Sequence, residues 1–133
     1  MPVSLAKVEE FVRSLPGVTE GVRWNRRMYL VGDRSLCWER AFSKADLKRF
    51  GDAPVPAGDI LAITVEDLDA KEALLQLGMR GFFTIPHFNG YPAVLVALRE
   101  ARVAEVRMVL EQSCKALRER ASQPKRRPPK KRS

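Results

Sequence analysis

The sequence predicts an α+β fold, an antiparallel sheet packed on helices, and three observations predict it. Short apolar, β-prone runs recur at Met28–Val31, Ile60–Val65, Phe82–Ile85 and Ala93–Leu98. Apolar residues three and four apart mark amphipathic helices towards both ends of the chain. Turn-formers such as Asn89-Gly90 and Gly32-Asp33-Arg34 separate neighbouring runs, and tight turns of this kind join antiparallel strands.

In chain order, Leu5, Val8, Phe11, Val12 and Leu15 give a first helix over about Ser4 to Leu15. Ser4 is placed to cap it and Pro16-Gly17 to stop it. The adjacent carboxylates Glu9 and Glu10 read as a solvated helix face. Val22 to Phe42 reads as strands: Met28–Val31, a turn at Gly32-Asp33-Arg34, and Ser35–Arg40. Ser43 with Asp46 three residues on is a capping-box pattern that opens a short helix, with Lys44 and Lys48 on one exposed face. Pro54 to Gly58 is a loop, because closely spaced prolines break regular structure. Ile60–Val65 is a buried strand. Asp67 to Glu72 begins another helix, with Leu74, Leu75 and Leu77 as its apolar side and Gly78 at its end. Phe82–Ile85 and Ala93–Leu98 form a hairpin, and the second strand is interior because apolar residues occupy both of its faces. Val103, Val106, Leu110, Cys114, Leu117 and Ala121 predict a long helix over about Arg102 to Ala121.

At 133 residues the chain makes one domain, residues 1–121, and a basic tail, residues 122–133. The tail has too little apolar content to order itself. No segment approaches the roughly 18 consecutive apolar residues of a membrane span. The N-terminus lacks a basic start followed by an apolar run, so no secretory signal is expected and the cytoplasm is the expected compartment. Cys37 and Cys114 are far apart and form no Cys-x-x-Cys pair, so two free, buried thiols are expected.

The formal net charge is +8, and six of the 24 basic residues lie at Lys125, Arg126, Arg127, Lys130, Lys131 and Arg132. Setting those six aside leaves 18 basic against 16 acidic residues, so the charge is carried mostly by the tail. Within the domain, Arg23, Trp24, Arg26 and Arg27 interleave cations with an aromatic, the composition of a phosphate-and-stacking surface. The same composition also suits the exposed face of any sheet. There is no glycine-rich phosphate loop and no recognisable catalytic triad. His87 is the lone histidine and the one candidate acid or base; without a visible partner, a role in fixing its loop is favoured. No metal and no cofactor are expected.

Several segments together resemble the MmcQ/YjbR family of small bacterial proteins. They are Leu15-Pro16-Gly17-Val18-Thr19-Glu20, Met28 to Asp33 with Trp38-Glu39-Arg40, Phe42 to Leu47, and above all Phe82-Phe83-Thr84-Ile85-Pro86-His87-Phe88-Asn89-Gly90-Tyr91-Pro92-Ala93-Val94-Leu95. The resemblance covers about residues 4 to 117. It implies a CyaY/frataxin-like arrangement, with helices on one side of an antiparallel sheet, and DNA binding through paired hairpin wings. Many members carry a Lys or Arg and a Trp after the corresponding histidine. Here Gly90, Tyr91 and Pro92 take their place, which removes cations from one wing.

The reading is thus a monomeric, non-enzymatic protein that binds nucleic acid weakly and with little sequence preference. Arg23, Trp24, Arg26, Arg27, Arg34, Lys44 and Lys48 are its candidate contacts, together with the six basic residues of the tail. The alternative is a module for a small ligand or protein partner, using His87, Phe88, Asn89 and Tyr91. An enzyme with His87 as acid or base is the less favoured third reading. No membrane partner is expected.

Overall fold

Backbone amides at the start of a helix need acceptors, and the side chain of Ser4 supplies one to Lys7 N at 3.2 Å. In the computed structural model this opens helix α1, Leu5–Arg13. The structure describes residues 3–23, 26–40, 48, 58–85, 88 and 90–122. Helix α1 is followed by strands β1 (Val18–Arg23), β2 (Arg26–Val31), β3 (Arg34–Glu39) and β4 (Ile60–Thr64). Helix α2 (Leu68–Gln76), strands β5 (Phe82–Phe83) and β6 (Ala93–Ala97), and helix α3 (Val103–Ser122) complete the described elements. The expected helix from Ser43 lies outside the described residues except for Lys48, which is helical and exposed.

The six strands form one antiparallel sheet in the order β1-β2-β3-β4-β6-β5. The fold is α+β, as the sequence predicts. β6 is interior and every residue in it is buried. β5 is shorter than Phe82–Ile85 suggests, since pairing stops at Phe83 opposite Leu95. Nine residues then separate β5 from β6, and within them the chain turns between Phe88 and Tyr91, whose N–H donates to the Phe88 carbonyl at 3.0 Å. β1 begins at Val18, four residues before the Val22 start expected from the sequence.

Two cores lie on the two faces of the sheet. On the helix face, Tyr29, Val31, Leu36, Cys37, Leu61, Ile63, Val94 and Val96 pack with Val8 and Val12 of α1 and Val106, Leu110 and Cys114 of α3. The opposite face carries a smaller core of Ile60, Ala62, Ala93, Leu95 and Ala97, on which Ile85 and Phe88 close from the β5–β6 connection. Leu36 and Cys37 are adjacent yet both buried in the first core. A register irregularity explains this: Tyr29 pairs with Cys37 and Leu30 with Ser35, which leaves Leu36 as the extra residue of a β-bulge.

Helix α2 departs from its sequence pattern. Asp67 is its cap, accepting from Ala70 N at 2.8 Å. Leu74 and Leu75 pack on the first core, but Leu77 is 65% exposed. The residue that α2 buries is Lys71, at 6% exposure. Glu9 is likewise not on a freely solvated face, because it pairs with Arg27 across to β2.

Candidate nucleic-acid interface

Arg27 and Arg34, two of the cations singled out in the sequence, stand at opposite ends of the β2–β3 pair. β1 and β2 are consecutive antiparallel strands, and Arg23 pairs with Arg26 at their joined end. Arg27 is next to that end and its guanidinium lies 3.4 Å from Glu9 of α1. Arg13 extends the network, 4.0 Å from Glu9 and 2.8 Å from Glu20 of β1. Hydrogen bonding to Glu20 raises the Arg13 pKa further. Beneath these charges burial raises the Tyr29 phenol, and the neighbouring Arg27 opposes the shift. Arg27 is therefore committed to a carboxylate on the helix side of the sheet.

Arg34 lies at the other end of β2, in the turn where Val31 pairs with Arg34. Five residues of strand separate it from Arg26, about 17 Å at ~3.4 Å per residue. Gly32 turns the chain there with φ +63, a left-handed conformation open to glycine at little cost.

This end of the sheet is also where α3 ends. The chain reaches it because α3 is 20 residues long, about 30 Å, and Val106, Val109, Leu110, Cys114 and Leu117 hold it on the first core, while Val103 at its start is exposed. Arg34 and Arg120 line one cleft of about 200 Å³, together with Glu66, Pro92, Ser113 and Glu119. Ser113 is 6% exposed. Neither Arg34, Arg120 nor Glu66 forms an ion pair among the described residues. Arg118 flanks the same end: its aliphatic stem lies against Gly17, where an added Cβ would meet it at 3.3 Å. Three guanidiniums thus stand where α3 gives way to the basic segment 125–132.

The second candidate group, around the β5–β6 connection, is organised differently. Phe88 is buried in the second core. Tyr91 meets it edge-on with ring centroids 5.6 Å apart, and the Arg40 guanidinium lies 5.4 Å from the Phe88 centroid. Lys71 donates from below to the Phe88 carbonyl at 2.5 Å and the Tyr91 carbonyl at 2.9 Å. Burial lowers the Lys71 pKa. Tyr91 itself is 46% exposed. Trp24, Lys44, His87, Asn89 and the basic residues Lys125, Arg126, Arg127, Lys130, Lys131 and Arg132 lie outside the described residues.

Three mycobacterial proteins match this chain. One is from Mycobacterium bovis and two are from strains of Mycobacterium tuberculosis; each is 42% identical over 86 residues, covering 62% of this chain and 66% of the relative. The chain thus spans just under two thirds of the length of these relatives, which are themselves described as uncharacterised. No family model matches the chain, and no solved structure matches it.

Among the described residues there is no group of three or more His, Cys, Asp or Glu side chains able to hold a metal ion. No described helix is long and apolar enough to cross a membrane. Cys37 and Cys114 are free and buried, and burial pushes both thiols up. Sequence reasoning passed over Arg118, Arg120, Glu66, Ser113 and Lys71. Arg118 and Arg120 carried a signal, since they immediately precede the tail. Glu66 carried none, because only the fold brings it opposite the end of α3.

Proposed function

We propose that this protein binds nucleic acid with little sequence preference, through the end of the domain where Arg34, Arg118 and Arg120 stand and from which the basic segment 125–132 follows. The observation that carries this reading is that Arg34 and Arg120 face one cleft, neither with an ion-pair partner among the described residues. Glu66 and Glu119 offset those two charges locally, so the excess positive charge comes from Arg118 and the six tail cations. Affinity should therefore be driven by phosphate contacts from the tail, with the domain end orienting the strand. The Arg23–Arg26 end of the sheet is the weaker candidate, since Arg27 beside it is held by Glu9. A ligand site at the β5–β6 connection has less support, because Phe88 is packed into the second core.

Fluorescence anisotropy with labelled oligonucleotides tests the reading. Six engaged tail cations give a slope of log affinity against log salt of about −5 on duplex DNA, and removal of residues 124–133 should abolish most of it. Charge reversal at Arg34 and Arg120 should weaken what the tail-deleted protein retains. Absence of any DNA or RNA binding by the full-length protein at low salt would overturn the proposal. Loss of all binding on tail deletion, with the fold intact, would remove the domain from it.

A further inference from the structure

The cleft at the end of α3 has a shape and a charge pattern that a basic patch does not need. It is concave, about 200 Å³, and its polar rim holds two guanidiniums and two carboxylates, Arg34, Arg120, Glu66 and Glu119. A duplex presents a convex phosphate ridge with its bases stacked inside, and neither reaches into such a cleft. An unpaired nucleotide does, because its base can be splayed out and read on its edges.

The charge balance narrows the choice further. A phosphate in the cleft would be drawn by two guanidiniums and repelled by two carboxylates, so it gains little there. A neutral group with an acceptor edge and a donor edge gains from both signs. We infer that the cleft takes the base of one unpaired nucleotide, preferentially guanine, an assignment that rests on the nucleic-acid reading above. Guanine presents the O6 and N7 acceptor pair that an Arg guanidinium meets with two hydrogen bonds. Its N1–H and N2–H donors lie side by side and match the two oxygens of a carboxylate. Thymine has no exocyclic amine for the carboxylate. Adenine and cytosine have an amine but lack the O6/N7 pair. Glu66 is the carboxylate for this contact, since it makes no ion pair among the described residues. Arg34 or Arg120 supplies the guanidinium. The sugar-phosphate chain on one side then runs over Arg118.

The experiment uses the full chain and short thymidine-rich single strands carrying one central guanosine, inosine or adenosine, or none, with the matching duplexes. Inosine keeps O6, N7 and N1–H and lacks only the N2 amine. The guanosine strand should bind the wild type about tenfold more tightly than the all-thymidine strand, the size of one good bidentate contact. Inosine should lose part of that gain. Glu66→Gln takes one negative charge from the rim, so it should strengthen binding of every strand alike, and it should also remove the difference between guanosine and inosine, as a direct contact requires. Glu66 is exposed, and an unchanged thermal unfolding midpoint checks that the variant is folded. If all strands bind equally and Glu66→Gln changes nothing, the guanine assignment is overturned and the electrostatic reading stands. Equal binding of duplex and guanosine strand also overturns it. If no strand binds, the nucleic-acid reading itself falls and takes the cleft assignment with it.

Discussion

Lys71 of α2 holds the carbonyl of Phe88 at 2.5 Å, and the same ammonium reaches the carbonyl of Tyr91 at 2.9 Å. One buried side chain thereby fixes both ends of the turn that seats Phe88 in the second core. Replacing it with Met, which keeps the length and loses the donors, removes the charged donor from both carbonyls and leaves each with one backbone donor, Tyr91 N–H for Phe88 and Ala93 N–H for Tyr91. Lys71→Met should cost about 1–3 kcal/mol in a urea unfolding titration. It should also expose the 88–91 turn, read as faster amide exchange there than in β6. A variant as stable as wild type would show that water replaces the ammonium at no cost.

Gly81 is a sharper test of how β5 is docked. Its φ is +85, and an added Cβ would lie 2.7 Å from the Ala97 carbonyl and 3.1 Å from Ala101 N, both backbone atoms that cannot swing away. Gly90 has φ +79 with nothing within 4 Å of the same position. Gly90→Ala should lose about 1 kcal/mol, the cost of the left-handed conformation alone. Gly81→Ala should lose clearly more, by denaturant midpoint at unchanged m-value. Equal losses would mean that β5 shifts freely.

Arg27 and Arg34 separate the two ends of the sheet. Arg27 is paired with Glu9, whereas Arg34 faces the cleft. Arg34→Glu should weaken oligonucleotide binding severalfold more than Arg27→Glu, measured by anisotropy at fixed salt. Arg27→Ala should change stability by at most about 1 kcal/mol, because exposed ion pairs contribute little. A larger binding loss at Arg27 would move the interface to the other end of the sheet.

Burial raises the Cys37 thiol, so the folded protein keeps this proton at pH values where the unfolded chain releases it. The sign follows directly. The contribution to stability is complete below the unfolded value, about 8.5, and declines as pH rises above it towards the folded value. The slope from one such thiol approaches 1.4 kcal/mol per pH unit. Cys37→Ala should flatten the fall in stability between about pH 8.5 and 10, whatever its fixed cost in packing. An identical slope in the variant would show that Cys37 ionises in the fold.

Much of this fold was legible because hydrophobic period and capping chemistry are local. Ser4 capped its helix as its residue type suggests, and Val103 to Leu117 followed the 3.6-residue period into one long helix. Ala93–Ala97 lay in the interior as its unbroken apolar run requires. Long-range placement was not legible. Nothing in the pattern of α2 says that Lys71 goes inside and Leu77 outside; two carbonyls seventeen and twenty residues away decide it. The candidate cations met the same limit. Arg27 and Arg34 are seven residues apart in sequence, yet they stand at opposite ends of one strand pair, and Arg34 finds its neighbour Arg120 only through the packing of α3.

The bulge at Leu36 gives β3 one residue of slack. On either side of it the ladder is regular, with Arg34 opposite Val31 and Trp38 opposite Met28. Loss of a single residue between Ser35 and Cys37 would close the bulge and leave Trp38 on its present face. The same loss within β4 or β6 would turn every following side chain to the wrong side of the sheet. Over evolutionary time β3 is therefore the described strand whose length can drift by one codon without inverting the molecule, and the cost of that drift is one leucine from the larger core.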